Sequence, residues 1–370
     1  MTHASSVTAL ERSMLSLPIL WPMEGALGGL TAEAALAAKS TRFVEEETKI
    51  AQPAQPVLAT PNQVRLNLRT MTLRDYGTPD GLPTLIDAPH AGHHAMIADY
   101  GPGQSLVQAL LSAGICHVAL TDWKPASEDM KDLEIDNYLA DMVVAIDDLG
   151  GRVNLVGLCQ GDWVSAMIAA RFPEKVNRLV LAGAPIDTDA GDGPIKRIAH
   201  ETPISVYRNL VELGGGVMKG ALMLDGWKNM HPEQHYFQNF VDLYDHIDDP
   251  GYLAKEEAFA RWYENPMDLP GRWYLQVITQ IFKQNRLAKG RFIALGRTLD
   301  LRNLVCPTYL LAGADDDITT PEQVLNAVAY IGTPPRLIVS ETVPGGHIGL
   351  FMGARTLKEH WPKIAAWIQA

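Results

Sequence analysis

A strand–helix alternation that stops midway through the chain and resumes roughly a hundred residues later restricts this sequence to few folds. Short apolar runs at 83–88, 117–121, 153–158 and 178–182 alternate with helical segments at 105–113, 135–149 and 162–171. Repetition of this kind, with short connections, predicts an α/β fold built on a mostly parallel sheet flanked by helices. Upstream, Val64, Leu66 and Leu68 alternate with Arg65, Asn67 and Arg69 as in a half-buried strand. From about 188 to 298 the alternation gives way to a segment rich in Trp, Tyr, Met and Asn, with helical stretches at 241–247 and 273–282. A strand at 308–312, a helix at 321–330, a strand at 336–341 and a helix at 355–368 then restore it. The middle segment therefore reads as a mainly helical cap inserted between two strands of one sheet.

The predicted division is an N-terminal extension at 1–62, a first core part at 63–187, the cap at 188–299 and a second core part at 300–370. Within the extension, 14–23 is apolar with two prolines, 26–39 is an alanine-rich helix candidate, and 52–61 is a proline-bearing linker. A hydrophobic fraction of 47% with eight Trp supplies one large core across 370 residues. The balance of 31 basic against 43 acidic residues, net −12, argues against nucleic acid or an anionic membrane as the main partner. No stretch is long enough to span a bilayer, and the apolar run at 13–23 is short and broken by Pro18 and Pro22, so a cytoplasmic location is expected. Cys116, Cys159 and Cys306 form neither a disulfide framework nor a zinc spacing, which fits a reducing compartment.

The strongest local signal is Gly157-Leu158-Cys159-Gln160-Gly161, placed between the strand at 153–158 and the helix from 162. A nucleophile at such a turn needs an exposed, strained backbone, and flanking glycines let neighbouring chains approach closely. The backbone N–H of Gln160 opens the helix and can face a developing oxyanion. Cys116 and Cys306 lack flanking glycines and read as packing residues.

The partners should follow in the order acid, then base. Asp315, Asp316 and Asp317 come directly after the strand at 308–312, where a carboxylate that orients a histidine belongs, and the spacing alone does not choose among them. His347 sits on a glycine turn after the strand at 336–341, suited to take a proton from Cys159 and return it to a leaving group. The second oxyanion donor should come from the loop after 83–88, with the N–H of Ala91 first and His90 next, because Pro89 has none to give. His90, His93 and His94 have no companion acidic cluster at ligand spacing, so no metal is expected.

From about Leu82 to the C-terminus these residues resemble the polyhydroxyalkanoate synthases and intracellular polyhydroxybutyrate depolymerases of the α/β-hydrolase superfamily. The resemblance implies an α/β-hydrolase fold with Cys159, Asp316 and His347 as nucleophile, acid and base. The cysteine box is similar to that of the short synthases, whereas Gly313 to Thr319, Ala88 to His93, Trp273 to Gly290 and Gly346 to Gly353 are closer to the depolymerases. The Gly313 to Thr319 pattern is what selects Asp316, with Asp317 second. On balance the expected activity is hydrolysis of polyhydroxyalkanoate esters, polymer or oligomer, through an acyl-thioester, at or near a granule surface. The alternatives are a synthase polymerising 3-hydroxyacyl-CoA and a non-catalytic granule-associated protein.

Asp162 departs from the synthase box, which continues with a small residue there. It would either cap the helix or oppose charge on Cys159. A thiol nucleophile suits thioester exchange better than expulsion of an alkoxide, so no resident cofactor is expected and CoA enters as acyl acceptor or donor. Lys283, Arg286, Lys289, Arg291, Arg297 and Arg302, opposed only by Asp300, form a basic run that reads first as a solvated face and second as a site for its phosphates. The aromatics Trp227, Trp262, Tyr263, Trp273 and Tyr274, with Asn229, His235 and Tyr236, fit a polyester pocket, the cap's own core or a homodimer contact equally well.

Overall fold

The computed structural model describes residues 30–370 apart from 231, 232 and 234–236, so the apolar stretch at 14–23, the start of the 26–39 helix, His235 and Tyr236 lie outside the described residues. Eight strands form one sheet: β1 Gln63–Asn67, β2 Met71–Gly77, β3 Thr84–Asp87, β4 His117–Trp123, β5 Val153–Leu158, β6 Val176–Ala182, β7 Thr308–Gly313 and β8 Ile338–Val343. Their order is β1-β2-β4-β3-β5-β6-β7-β8. β1 pairs with β2 and β2 with β4 antiparallel, and every other pairing is parallel. β3 and β5 are buried at every residue, which is why they read as continuous apolar runs rather than alternations.

The helices before the insertion are α1 Leu30–Ala51, α2 Leu106–Ser112, α3 Ile135–Asp148 and α4 Gln160–Arg171. α4 is buried from Gly161 through Ala170, so it has no polar face to show in its sequence. Between β6 and β7 lie α5 Pro194–Glu201, α6 Ile204–Leu213, α7 Gly220–Lys228, α8 Asn239–Asp245, α9 Pro250–Tyr263 and α10 Gly271–Gln276, the last continuing as a π-helical segment over Val277–Lys283. After β7 come α11 Pro321–Leu325, α12 Gly349–Met352, α13 Ala354–Glu359 and α14 Trp361–Gln369. α1 meets the insertion in a satellite cluster in which Phe43 packs with Leu243, Ile247 and Leu253, its ring edge-on to Phe240 and Tyr244. Arg42 reaches Asp248 across the same contact at 3.2 Å.

Several boundaries differ from the sequence expectation for physical reasons. The helix placed at 162–171 opens at Gln160, the residue whose N–H the sequence puts at its start. The strand expected at 336–341 is displaced to Ile338–Val343, because Pro334 and Pro335 lead into a 3₁₀ turn over Pro335–Leu337. The helix expected at 321–330 keeps α geometry only through Leu325 and tightens to 3₁₀ over Asn326–Ala329. The terminal helix expected at 355–368 is two helices, since Pro362 lacks the N–H an unbroken helix would need and lies in the first turn of α14. β2, Met71–Gly77, has no counterpart among the strands expected from the sequence.

Candidate active site

Cys159 stands between the end of β5 and the start of α4, with φ 54° and ψ −114°. A non-glycine residue with positive φ is held there at a cost of roughly 1–3 kcal/mol, and such positions cluster at functional sites. Both flanking glycines are sterically required. A β-carbon on Gly161 would come within 2.2 Å of the Asp87 carbonyl oxygen, and one on Gly157 within 2.6 Å of the Asp162 α-carbon.

Of the three adjacent acids, Asp316 is the one bonded to His347, with Asp316 Oδ2 2.7 Å from His347 Nδ1. Its other oxygen accepts from the N–H groups of Ile318 and Thr319 at 3.0 and 2.8 Å, so the carboxylate is fixed. Asp315 is exposed and accepts from Gly345 N–H, while Asp317 lines the cavity. Bonded through Nδ1, His347 leaves Nε2 buried with no nitrogen or oxygen partner, and Cys159 as well as Asp316 is electrostatically coupled to the ring. Burial disfavours the charged imidazole, yet the Cys159 sulfur and the Asp316 carboxylate outweigh it and hold the His347 pKa well above its ordinary value.

Ala91 and Gln160 line the cavity that holds Cys159 and His347. As the first residue of α4, Gln160 has no intrahelical carbonyl for its N–H, so it remains available to a developing oxyanion. The three neighbouring histidines diverge. His90 turns into an aromatic box of Trp123, Tyr138 and Trp273, with ring centroids at 5.7, 4.6 and 4.7 Å, and burial pushes its pKa down to about 3. His93 Nε2 meets the Tyr263 carbonyl at 3.0 Å, and His94 accepts the Met96 N–H on Nδ1 while its Nε2 meets Asp122 at 3.1 Å. Among the described residues no cluster of His, Cys, Asp and Glu is arranged to hold a metal.

Asp162 neither caps α4 nor confronts Cys159 as a charge. It is fully buried, its Oδ1 accepts the Ala182 N–H at 2.8 Å, and burial first, then the neighbouring Cys159, raises its pKa well above the carboxylate range, favouring the uncharged acid. Behind it, Asp87 at the end of β3 is pushed up to about 8 by burial, although Ser165 and Thr121 donate hydrogen bonds to it. Folding therefore takes up a proton at Asp87 between the ordinary carboxylate value and about 8, and stability falls as pH rises through that window. Asp87→Asn, which removes the titration, is expected to raise stability by up to about 4 kcal/mol near pH 7 and by almost nothing near pH 4, read by urea unfolding at both values.

The cavity over Cys159 measures about 380 Å³. Trp227, Trp262 and Tyr263, singled out in the sequence, line it. So do Met230, Phe259 and Phe282, which sequence reasoning passed over because nothing in a helix's own pattern says which apolar side chains meet a cavity. Trp273 and Tyr274 face an adjoining apolar chamber of about 230 Å³, which shares Ala91, Gln160, Trp227 and Phe282 with the first. Asn229 closes α7 and lines neither. Of the basic run, Lys289 pairs with Asp189 at 2.7 Å and Arg302 with Asp300 at 3.1 Å, while Arg286, Lys289 and Arg291 share a surface depression with Gln284. Cys306 is buried with its pKa pushed up to about 11, and Cys116 is exposed.

The sheet order, the elbow and the inserted helices define a protein of α/β-hydrolase fold with a Cys–His–Asp arrangement at the ends of β5, β7 and β8. Two solved structures share that fold: the monoacylglycerol lipase of Paleococcus ferrophilus, at TM-score 0.52 and 16% identity over 80% of this chain and 98% of its own, and a carboxylesterase of Nitrososphaera gargenis, at TM-score 0.50 and 13% identity over 84% and 99%. Residues 68–369 match the model of the family described as "Protein of unknown function (DUF3141)", and the chain belongs to that family. It is also similar to curated proteins named Poly(3-hydroxyalkanoate) polymerase subunit PhaC. The protein from Haloferax mediterranei is 27% identical over 87% of this chain and 65% of its own length, and that from Allochromatium vinosum 24% identical over 83% and 88%. The protein from Synechocystis is 28% identical over 78% of each chain. This chain thus spans just under two thirds of the Haloferax relative and most of the other two. These relatives are polymerases, so the similarity favours the synthase alternative over the depolymerase reading that the Gly313 to Thr319 pattern suggested. No helix among the described residues is long and apolar enough to cross a membrane.

Proposed function

We propose that this protein is an acyltransferase of the polyhydroxyalkanoate synthase type, which moves 3-hydroxyacyl groups from CoA onto Cys159 and then onto a hydroxyl. The observation that carries the reading is the strained Cys159 facing His347, itself oriented by Asp316, in a chain similar to polymerases over most of its length. In the first step His347 Nε2 takes the Cys159 proton and the sulfur attacks the thioester carbonyl. The oxyanion is received by the Gln160 and Ala91 N–H groups, and CoA leaves with the proton. This exchanges one thioester for another at nearly equal energy. In the second step His347 takes the proton of an attacking hydroxyl, an ester forms, and the Cys159 thiol is regenerated.

Apolar walls around the cavity suit an acyl chain, and the depression lined by Arg286, Lys289 and Arg291 offers a surface for the phosphates of CoA. Ester hydrolysis would instead require His347 to protonate a departing alkoxide. The deciding assay offers 3-hydroxybutyryl-CoA and amorphous polyhydroxybutyrate separately. Release of free CoA thiol with growth of polymer from the first substrate is the expected result. Soluble hydroxyacid or hydroxyacyl-CoA released from the polymer, with no CoA released from the thioester, would overturn it.

A further inference from the structure

His93 is not one of the three residues assigned to the reaction, yet it lines the same cavity as Cys159 and His347. It follows Gly92, which has φ 91° and whose carbonyl accepts the Met267 N–H at 2.7 Å, so the loop is tied to the insertion at this point. The His93 ring lies nearly parallel to Tyr263, with centroids 5.3 Å apart and planes at 10°, and inclined against Trp262 at 4.9 Å. Its Nε2 sits 3.0 Å from the Tyr263 carbonyl oxygen, an acceptor only, so Nε2 carries a proton and donates it.

Burial pushes the His93 pKa down to about 4, against the smaller opposing effect of the Tyr263 carbonyl, so the ring is neutral and has no second proton. The remaining nitrogen, Nδ1, is therefore an acceptor. Among the described residues it has no hydrogen-bond partner, and it is not one of the fully buried side-chain atoms left without a partner; the residue it belongs to lines the cavity. A fixed, uncharged lone pair among side chains such as Phe259, Trp262 and Ile97 can receive a hydrogen bond from a bound molecule and so fix its orientation.

Ala91, two residues earlier on the same loop, lines the same cavity and is the second oxyanion donor in the acyl-transfer reading, and two residues span at most about 7 Å. The hydroxyl of a 3-hydroxyacyl group sits two carbons from that carbonyl. We propose that His93 Nδ1 accepts a hydrogen bond from the 3-hydroxyl of the bound acyl group, and so makes the site select hydroxylated over plain acyl thioesters. This rests on the acyl-transfer reading above and adds to it a residue that recognises the substrate class. His94 cannot fill the role, because both of its nitrogens are engaged by Met96 and Asp122.

The test measures CoA release from 3-hydroxybutyryl-CoA and from butyryl-CoA, which lacks only the hydroxyl. The parent protein is expected to favour the hydroxylated thioester at least tenfold. His93→Phe keeps the stack on Tyr263 but removes both nitrogens, and should lower kcat/KM for 3-hydroxybutyryl-CoA by roughly ten- to hundredfold while changing that for butyryl-CoA by less than about threefold. His93→Asn, whose side-chain oxygen replaces Nδ1, should restore part of the preference. A parent without preference, an equal fall on both substrates, or a preference that survives in His93→Phe overturns the inference. Absence of CoA release from either thioester by the parent would instead overturn the acyl-transfer reading itself.

Discussion

Cys159→Ala abolishes CoA release from 3-hydroxybutyryl-CoA, a fall of at least about 10⁵-fold, because it removes the sulfur on which the acyl intermediate forms. The fold survives the change. Alanine keeps the β-carbon, so the backbone conformation at φ 54° is neither relieved nor worsened, and the site is partly open rather than packed core. Stability should stay within about 1 kcal/mol of the parent, as expected for loss of a small side chain outside the core. The check pairs a CoA-release assay with thermal unfolding of the same preparation, and with mass spectrometry of protein quenched during turnover. The parent carries a hydroxybutyryl adduct on the peptide containing Cys159, and the variant carries none. Retained turnover in a folded Cys159→Ala protein would remove the catalytic assignment and leave the elbow without a role.

The parts of this site that were legible in the sequence are those where local chemistry has one solution. Gly157 and Gly161 are demanded by backbone that approaches within 2.6 and 2.2 Å of where a side chain would begin, so a strand, a turn and a helix could be placed around Cys159 before any contact was known. His347 was legible for the same reason, since it sits on a glycine turn after a strand. Asp316 could be chosen over its neighbours only through a family resemblance, because three consecutive acids at a strand end differ in direction and not in chemistry. β2 escaped because its polar members are satisfied by partners distant in sequence: Arg74 pairs with Asp122 at 2.8 Å, and Asp75 meets His117 at 2.9 Å. Its burial also runs through the consecutive residues Met71, Thr72 and Leu73, so the strand has no period-two signature. The insertion was legible only as an interruption. Which of its aromatics meet the cavity is decided by how α7, α9 and α10 pack together, and the role of His93 depends on a carbonyl contributed by α9 some 170 residues away.

Asp316→Asn lowers kcat/KM by about 10³- to 10⁴-fold and changes the pH behaviour of what remains, the second of these being the more diagnostic. The side-chain oxygen of asparagine can still accept from Ile318 and Thr319, so the loop keeps its shape, but the negative charge beside His347 is gone. Burial, which lowers the His347 pKa, then opposes only the effect of Cys159, so the imidazole of the variant titrates at lower pH than in the parent. The sign carries through to stability. A histidine raised above its unfolded value near 6.5 stabilises the fold fully at pH below that value, and the contribution disappears as pH rises through the folded-state pKa. The stability difference between parent and Asp316→Asn should therefore be largest in mild acid, below about pH 6.5, and narrow as the solution becomes alkaline. Unfolding at a series of pH values measures this, and the C2–H proton resonance of His347 measures the shift directly. A difference that is constant with pH would mean that Asp316 only holds the loop, and that His347 owes its charge to Cys159 alone.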